Sequence, residues 1–364
     1  MGARAMSESF CDGRVTLHRG DMLKVLAKMP AASLDACVTD GPYYLPEMEK
    51  RFGSTKSAKA KGEMFSRGAK GAAHGKGAIF GDICNRPKTW AAVYRVLKPG
   101  GYLLAFNYPK AYAHMQVAAE AAGFETRDVL SWLYGTGFPH GKPLGKFVDR
   151  AVLGDYLDDD ELARGPVSHT AAFYGDRDIT LKPAAEFIML ARKPLDGTIT
   201  ENLLMHGAGS LDVTGCRVQH ETGSSFPSNV LHDGSAEVCE HFPRDAGGKP
   251  IARFFWHPKA DEADRAGSGH PTVKPIALMR YLVRLVTRPG DTVLDCFAGS
   301  GATGEAAFAE GRRAVLIEID PQFQDDIANR MRSAFAGPDE RKRMLIKAKG
   351  EADAFEAGTL FAGL

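Results

Sequence analysis

The chain has 364 residues, of which 44% are hydrophobic and 25% charged, enough for about two globular domains of roughly 150 residues each. Its 46 Lys and Arg residues balance 45 Asp and Glu residues, which excludes a uniformly basic coat and confines any nucleic-acid contact to a local patch. No apolar run approaches the roughly 20 residues of a membrane span. The six cysteines include no Cys-x-x-Cys pair, which favours free thiols in a reducing cytoplasm over a zinc ribbon or a disulfide framework.

The first third of the chain alternates between strand and helix patterns. The predicted elements are strands at 14–20, 34–39 and 102–106 and helices at 21–29, 87–97 and 110–122. The strand at 34–39 is a short apolar run that delivers a polar turn beginning at Asp40. This alternation predicts an α/β fold with a mostly parallel sheet.

The rhythm breaks between 135 and 268, where Gly and Pro recur and only one strand, at 186–193, stands out. We predict an inserted, partly irregular module there. The alternation then returns, with helices at 275–287 and 301–310 and strands at 292–296 and 313–319. The last thirty residues are expected to form a helix followed by a loose tail.

A basic, glycine-rich segment follows the Asp40 turn. Residues 50–76 contain eight Lys and Arg residues and one acid, Glu63, so they cannot bury a core and are predicted to form a mobile loop, placed at 45–80. Two interpretations stay open for this loop. It is either a solvated surface insertion or an arm that contacts nucleic-acid phosphates.

A second glycine-rich segment, DCFAGSGATG at 295–304, lies between a predicted strand and a predicted helix. Glycines at such a turn let a ligand approach the backbone, and the helix N-terminus offers N–H groups and a positive dipole end. Asp295 is expected to meet a cationic group, and Glu318, about twenty residues further on, to accept hydrogen bonds from ribose hydroxyls. The spacing indicates a nucleoside site, and a purely structural turn is the alternative.

The turn after the 34–39 strand reads TDGPYY, residues 39–44. An exocyclic amine of a base is a poor nucleophile because its lone pair is spread into the ring. The Asp40 carboxylate and a backbone carbonyl could grip its hydrogens and favour a localised lone pair, while an aromatic ring stacks a base that has left the duplex. The alternative is an ordinary Asp-Gly turn followed by a packed aromatic residue.

With their flanking segments, these two motifs resemble the β-class amino-DNA methyltransferases. That class places a D/S/N-P-P-Y motif before its methyl-donor motif, with the target-recognition region between them, and this chain has the same order over roughly 14–333. The matching flanks are Gly20-Asp21, RVLKPGGYLLAF at 95–106, GTGFP at 135–139 and HPTVKP at 270–275. The segment LKPAAEFIMLARKP at 181–194 is similar to phage and prophage members.

The resemblance implies a Rossmann-like α/β sheet that is circularly permuted, with the catalytic half first and the donor-binding half last. The implied divisions are a catalytic half at 1–134, a target-recognition region at 135–268, a donor-binding half at 269–335 and a tail at 336–364. It further implies S-adenosylmethionine as cofactor, double-stranded DNA as partner, a homodimer as one form of assembly, and the cytoplasm as the location of a bacterial or phage-encoded protein.

Residue roles follow from the same resemblance. The catalytic positions are Asp40, Gly41, Pro42 and Tyr43. The donor-binding positions are Asp21, His270, Thr272, Lys274, Pro275, Asp295, Phe297, Gly299, Ser300, Gly301, Thr303 and Glu318. The implied reaction is direct in-line methyl transfer to adenine N6 after base flipping, with no covalent enzyme intermediate, so Cys37 and Cys296 are predicted to be buried strand residues.

One departure from the family pattern is Gly41, which stands where the family has its first proline. The backbone carbonyl survives this change, but the loop loses pre-organisation of about 0.4–1 kcal/mol. Cytosine N4 methylation remains open, although Asp40 in place of serine favours adenine. A non-catalytic DNA-binding relative and a nicotinamide oxidoreductase remain open as well; the latter leaves the HPTVKP element without a role.

Overall fold

A nine-stranded sheet runs through the computed structural model, with the strand order β1-β2-β11-β10-β3-β4-β6-β5-β9. The structure describes residues 6–43, 83–135, 144–153, 165–175, 177–178, 181–220, 223–240, 242, 244, 248, 260–270 and 272–334. The strands are β1 (Ser7–Phe10), β2 (Val15–Arg19), β3 (Leu34–Thr39), β4 (Leu97–Asn107), β5 (Glu125–Leu133), β6 (Ala185–Arg192), β9 (Val230–His232), β10 (Thr292–Asp295) and β11 (Arg313–Glu318). A separate hairpin pairs β7 (Val218–His220) with β8 (Gly223–Ser225).

The central strands are parallel and buried on both faces. β2, β11, β10, β3 and β4 all run in one direction, and all six residues of β3 are buried. Because successive side chains of a strand point to opposite faces, Ala36 and Val38 join one hydrophobic cluster and Cys37 joins the other. The sheet therefore separates two cores, as expected when helices cover both faces of a parallel sheet.

Helices cover each face of the sheet. The described helices are α1 (Met22–Leu26), α2 (Pro87–Val96), α3 (Pro109–Ala121), α4 (Leu144–Leu153), α5 (His169–Tyr174), α6 (Ile199–His206), α7 (Ala236–Cys239), α8 (Glu262–Arg265), α9 (Ile276–Val286), α10 (Ala302–Ala309) and α11 (Pro321–Ser333). The buried side chains of α1, α2 and α3 share the cluster of Cys37, and those of α9, α10 and α11 share the cluster of Val38. None of the described helices is long and apolar enough to cross a membrane.

The α/β prediction and the mostly parallel sheet are confirmed. The predicted elements at 34–39, 87–97, 110–122, 186–193 and 275–287 are present, with ends shifted by a residue or so. Five strands escaped prediction: β1, whose Ser-Glu-Ser sequence is polar, β5, whose first half is charged and partly exposed at the sheet periphery, and the three-residue strands β7, β8 and β9. Cys37 and Cys296 are buried as expected, and all six cysteines are free.

The stretch 135–268, predicted as an inserted, partly irregular module, contributes two strands to the main sheet. Its strand β6 lies inside the main sheet, antiparallel to both β4 and β5, and β9 extends the same sheet as its last strand. Sequence order alone assigns β6 to the insertion, because it does not show that this strand lies between β4 and β5 in the sheet. The predicted loop at 45–80 and the tail at 336–364 lie outside the described residues.

Candidate active site

The predicted site residues lie at one end of the sheet, where the parallel strands reach their carboxyl ends. Asp40 follows β3, Asp295 ends β10, Glu318 ends β11 and Asp21 follows β2. The chain order places β10 and β11 last, yet both lie between β2 and β3. Ligands of open α/β sheets bind beyond the carboxyl ends of the strands, so this end of the sheet is the candidate active site.

Asp40 lies in a hydrogen-bonded cluster with two other predicted residues. The Tyr43 hydroxyl donates to Asp40 Oδ1 at 2.8 Å, and the Lys274 ammonium forms an ion pair with Asp40 Oδ2. Lys274 precedes α9 by two residues, and its side chain is 7% exposed. The cluster therefore joins the TDGPYY turn to the HPTVKP segment, which are more than 200 residues apart in the chain.

Glu186 is a fourth member of the cluster that sequence reasoning missed. Its Oε2 lies 3.0 Å from the Tyr43 hydroxyl and 3.2 Å from Lys274 Nζ. Glu186 occupies the second position of β6. Because β6 is antiparallel to β4, the first residues of β6 lie beside the carboxyl end of β4. The available signal was an acidic residue at the start of an otherwise apolar strand, EFIMLAR, but the sequence did not show where that strand lies.

Burial and mutual charge set the protonation of this cluster. Burial and the neighbouring Glu186 carboxylate raise the pKa of Asp40, while Lys274 opposes them. Burial would lower the pKa of Lys274, but Asp40 and Glu186 outweigh it and raise that pKa above its usual range. Burial and the same two carboxylates also raise the pKa of Tyr43. Lys274 therefore stays a cation and Tyr43 a neutral hydroxyl donor.

Gly41 is packed against Cys84 and against Phe297 of the glycine-rich loop. A Cβ at this position would lie 2.4 Å from Cys84 Sγ and 3.2 Å from Cδ2 of Phe297. Cys84 belongs to a short 3-10 turn at Ile83–Asn85 and is buried. The close approach of Cys84 leaves no room for a Cβ, which is a physical reason for glycine where the family pattern has proline.

Both carboxylate oxygens of Asp295 accept hydrogen bonds from nearby protein groups. Its Oδ1 accepts hydrogen bonds from the Thr39 hydroxyl at 2.6 Å and from the Phe297 N–H at 3.1 Å, and its Oδ2 accepts from the Thr303 hydroxyl at 2.5 Å. Burial raises its pKa to about 6. Asp295 thus ties the end of β3 to the start of the glycine-rich loop, a connection between the two halves that spacing did not predict.

The loop glycines are needed for two different reasons. Gly299 and Gly301 have φ values of +50° and +79°, which favour glycine. A Cβ on Gly304 would lie 2.6 Å from Cδ1 of Leu316, so this glycine lets α10 approach β11 closely. The three follow the Gly-x-Gly-x-x-Gly spacing of nucleotide-binding turns. The N-terminus of α10 therefore opens onto the sheet edge without a capping side chain at Gly301.

Glu318, the last residue of β11, is hydrogen-bonded to the glycine-rich loop. Its two carboxylate oxygens accept hydrogen bonds from the N–H groups of Gly299 and Asp320, each at 2.8 Å. Burial raises its pKa to about 7. The Gly20 N–H donates to the Glu318 carbonyl at 2.9 Å, which fixes the start of the Asp21 turn beside it.

His270 lies over the glycine-rich loop. Its Nε2 is 3.0 Å from the point where a Cβ on Gly299 would lie, and its ring packs edge-on against Phe323 with centroids 4.5 Å apart. Its Nδ1 accepts a hydrogen bond from the Thr272 N–H at 3.3 Å. Burial, with Lys274 nearby, lowers the pKa of His270 to about 4, so the ring is neutral at physiological pH.

The remaining predicted residues have structural contacts in the described chain. Asp21 caps α1 by accepting from the Lys24 N–H at 3.0 Å, and Pro275 is the N-cap residue of α9. The carbonyl of the buried Ser300 accepts from Arg330 at 2.7 Å. Pro42 is half-buried in the turn. Among the described residues, no group of three or more His, Cys, Asp or Glu side chains is arranged to hold a metal ion.

The chain is similar to known DNA methylases over most of its length. The model of the N6/N4 family, described as DNA methylase, matches residues 34–330. The type II methyltransferase M.HindIII of Haemophilus influenzae is 25% identical over 334 residues, 86% of this chain and 94% of that protein. The DNA adenine methyltransferase YhdJ of Escherichia coli is 48% identical over 54 residues, 15% of this chain and 18% of that protein.

Among solved structures, the PvuII DNA methyltransferase, which is cytosine-N4-specific, is similar over 93% of each chain. The TM-score is 0.50 and the sequence identity 14%, so this likeness concerns the fold.

Proposed function

The chain belongs to the N6/N4 DNA methylase family of S-adenosylmethionine-dependent DNA methyltransferases, and from this premise we propose that it methylates N6 of adenine in double-stranded DNA. The observation that carries the proposal is the position of Asp40 at the end of β3. Its carboxylate lies in a cluster with Tyr43 and Lys274, and Thr39, directly before it, is hydrogen-bonded to Asp295 of the glycine-rich loop. Target and donor positions are thereby held side by side.

The residues of the loop fit the methyl donor by their chemistry. S-adenosylmethionine, when bound, supplies an electrophilic methyl group, and it carries ribose hydroxyls and a cationic sulfonium. Glu318 is a buried carboxylate at the end of β11, where ribose hydroxyls are commonly bound. Gly299 and Gly301 carry no side chain that would keep a ligand from the backbone, and the neutral His270 ring lies beside Gly299. We propose that these residues, with Asp21, Thr272, Pro275, Phe297, Ser300 and Thr303, hold the donor.

Asp40 and the Gly41 carbonyl would grip the hydrogens of the target amino group. Two acceptors that each take one N–H favour a tetrahedral nitrogen whose lone pair is localised and aimed at the donor side. Such acceptors act strongly because the cluster is buried and little water competes with them. Tyr43 lies on the same turn, where its ring can stack on a base that has left the duplex. Positioning and electrostatics therefore supply the rate, with no covalent intermediate on the protein.

Adenine is proposed as the target for two reasons. The turn carries an aspartate at position 40, and the relative YhdJ, whose 54-residue match is 48% identical, is a DNA adenine methyltransferase. Cytosine N4 is the alternative, since the PvuII enzyme shares the fold and is cytosine-N4-specific. Both bases present an exocyclic amine, so the same Asp40 chemistry serves either one.

We propose that DNA contacts outside the site come from 135–268 and from the basic loop at 45–80. In the described part of this region, Arg217 lies on the edge of the β7–β8 hairpin and Arg177 follows α5. Their guanidinium groups suit contacts to phosphates or to guanine edges. A homodimer and a cytoplasmic location are part of the same proposal.

The test is the identity of the product. The protein is incubated with S-adenosylmethionine, labelled in its methyl group, and with duplex DNA that lacks methylated bases, and the DNA is digested to nucleosides for mass spectrometry. N6-methyladenine is expected. N4-methylcytosine would contradict the choice of base, and labelled donor that binds without any methylated nucleoside would contradict catalysis itself.

A further inference from the structure

Two carboxylates share the same two donors at the candidate active site. Tyr43 Oη lies 2.8 Å from Asp40 Oδ1 and 3.0 Å from Glu186 Oε2, and Lys274 Nζ forms ion pairs with both carboxylates. We propose that Glu186 is a positioning residue, which takes over the Lys274 ammonium and the Tyr43 hydroxyl when Asp40 turns to accept the target amino group. This inference rests on the proposed methyl transfer.

Both oxygens of Asp40 already accept a donor before any base arrives. Tyr43 donates to its Oδ1 and Lys274 to its Oδ2. In the proposed exchange, Asp40 gives up at least one of these contacts when it turns to accept an amino hydrogen of the base. The departing donor is buried, and a buried ammonium or hydroxyl without an acceptor is strongly unfavourable.

Glu186 is placed to prevent that loss. A single oxygen, Oε2, is already within 3.2 Å of both donors, so each donor can leave Asp40 by a small rotation and keep a carboxylate partner. Aromatic rings surround the ammonium further out, with Phe106 at 5.0 Å and Tyr43 at 5.7 Å from Lys274 Nζ to the ring centroids. These rings favour a cation in the pocket but do not replace an oxygen acceptor.

The charges of the cluster agree with this exchange. Two carboxylates face one ammonium, so one negative charge is in excess whenever both acids are ionised. The Lys274 ammonium can therefore pair with Glu186 while Asp40 stays an anion and accepts one N–H of a neutral base. The charged and titratable groups that face Glu186 are Lys274 of the 270–275 segment, Asp40 and Tyr43 of the turn after β3, and Tyr134 directly after β5.

The sheet fixes where Glu186 lies. In the antiparallel register Glu186 is opposite Trp132 of β5, and its neighbour Phe187 is opposite both Asn107 of β4 and Ser131 of β5. Pairing with β5 at Glu186, and with both β4 and β5 at Phe187, holds the backbone of Glu186 in place when a ligand binds. Glu186 is therefore a fixed acceptor against which the mobile side chains exchange.

Glu186→Gln tests the proposal, because it keeps the shape of the side chain and removes its charge. Initial rates of methyl transfer are measured against DNA and S-adenosylmethionine for the wild type, Glu186→Gln, Glu186→Asp and a control, Glu125→Gln. Glu125 lies at the other end of the same strand pair, where it forms an ion pair with Arg192 at 2.9 Å. Melting temperatures establish that each variant is folded.

We expect Glu186→Gln to lower kcat/KM for DNA about tenfold or more, as for loss of a hydrogen bond to a charged group, and to leave KM for S-adenosylmethionine near the wild-type value. Glu186→Asp, which keeps the charge, should recover part of the loss. Glu186 raises the pKa of Asp40, so the acid limb of the pH profile should move to lower pH in Glu186→Gln. Glu125→Gln should behave as the wild type.

Three results would overturn the proposal: a Glu186→Gln enzyme with wild-type kcat/KM for DNA, equal losses for DNA and S-adenosylmethionine, or an unmoved acid limb. If Glu186→Gln does not fold, Glu186→Asp decides, and a wild-type kcat/KM for DNA in that variant also overturns it. A wild-type protein that transfers no methyl group contradicts the proposed function instead, so the two failures are distinguishable.

Discussion

Gly41 lies directly against the thiol of Cys84, so close that a Cβ on residue 41 would be 2.4 Å from Cys84 Sγ. The residue that follows the candidate catalytic aspartate is thus constrained by a side chain from another part of the chain. The two positions form a matched pair: a small residue in the turn accommodates a sulfur beneath it. The Phe297 ring, 3.2 Å from the same point, closes the other side.

Gly41→Ala is therefore expected to destabilise the fold by about 1–3 kcal/mol through overpacking, and to lower the rate of methyl transfer because the Asp40 turn shifts. Cys84→Ala in the same chain should remove the clash and restore most of the loss. Urea unfolding and initial rates on the two single variants and the double variant measure the coupling. Effects of the two substitutions that simply add would contradict the pairing.

The site shows what a sequence can and cannot supply. Asp40 and Glu318 were predicted at strand ends because apolar runs followed by acidic residues predict where parallel strands finish. Glu186 was missed because the position of β6 between β4 and β5 depends on pairing between distant segments. The link from Asp295 to Thr39 was missed for a similar reason, since a hydrogen bond across 256 residues leaves no local pattern.

The fold shows the same division. Periodicity predicted β3, α2, α3 and α9 because each buries a continuous apolar face. It did not predict β1, which is a polar edge strand stabilised by pairing with β2. The hydrophobic pattern of a segment indicates which of its residues are buried, whereas the order of the strands depends on how the whole chain packs.

Arg330 is predicted to hold the donor loop in place. Its guanidinium donates to the carbonyl of Ser300 at 2.7 Å and to that of Asp264 at 2.6 Å, and it pairs with Glu305 at 2.7 Å while only 1% exposed. Arg330→Met leaves a buried carboxylate without this partner and should lower the free energy of unfolding by about 3–5 kcal/mol.

The matched control is Arg332→Met, two residues further along α11. Arg332 is 57% exposed and pairs with Glu8 at the surface, so its loss should change the free energy of unfolding by less than about 1 kcal/mol. Chemical denaturation of both variants is the measurement. Equal effects would show that the buried network around Arg330 contributes no more than a surface pair.

Glu318 is predicted to make stability depend on pH. Burial raises its pKa to about 7 in the folded chain from 4.5, so the folded state holds a proton that the unfolded chain releases in that window. The contribution of this carboxyl to stability therefore falls as pH rises from 4.5 to 7, by about 3 kcal/mol in all, and is constant above. Replacing the Glu318 carboxyl by a group that does not titrate should abolish this decrease in stability.

In Glu318→Gln, the free energy of unfolding relative to the wild type should accordingly increase between pH 5 and pH 8, measured by urea unfolding at each pH. Glu237→Gln, which alters an exposed acid paired with Lys182, is the control and should show a constant difference. A difference that is constant or decreasing for Glu318→Gln would contradict the raised pKa.

The central claim is that Asp40 acts on the target amino group and not on donor binding, and Asp40→Asn tests it most directly. The amide keeps the size of the side chain but weakens its acceptor strength, so single-turnover methyl transfer to DNA should fall at least about 100-fold. Equilibrium binding of S-adenosylmethionine, measured on the same protein by calorimetry, should stay near the wild-type value. An Asp40→Asn protein that transfers methyl groups at the wild-type rate, or that loses transfer only because the donor no longer binds, would contradict the account.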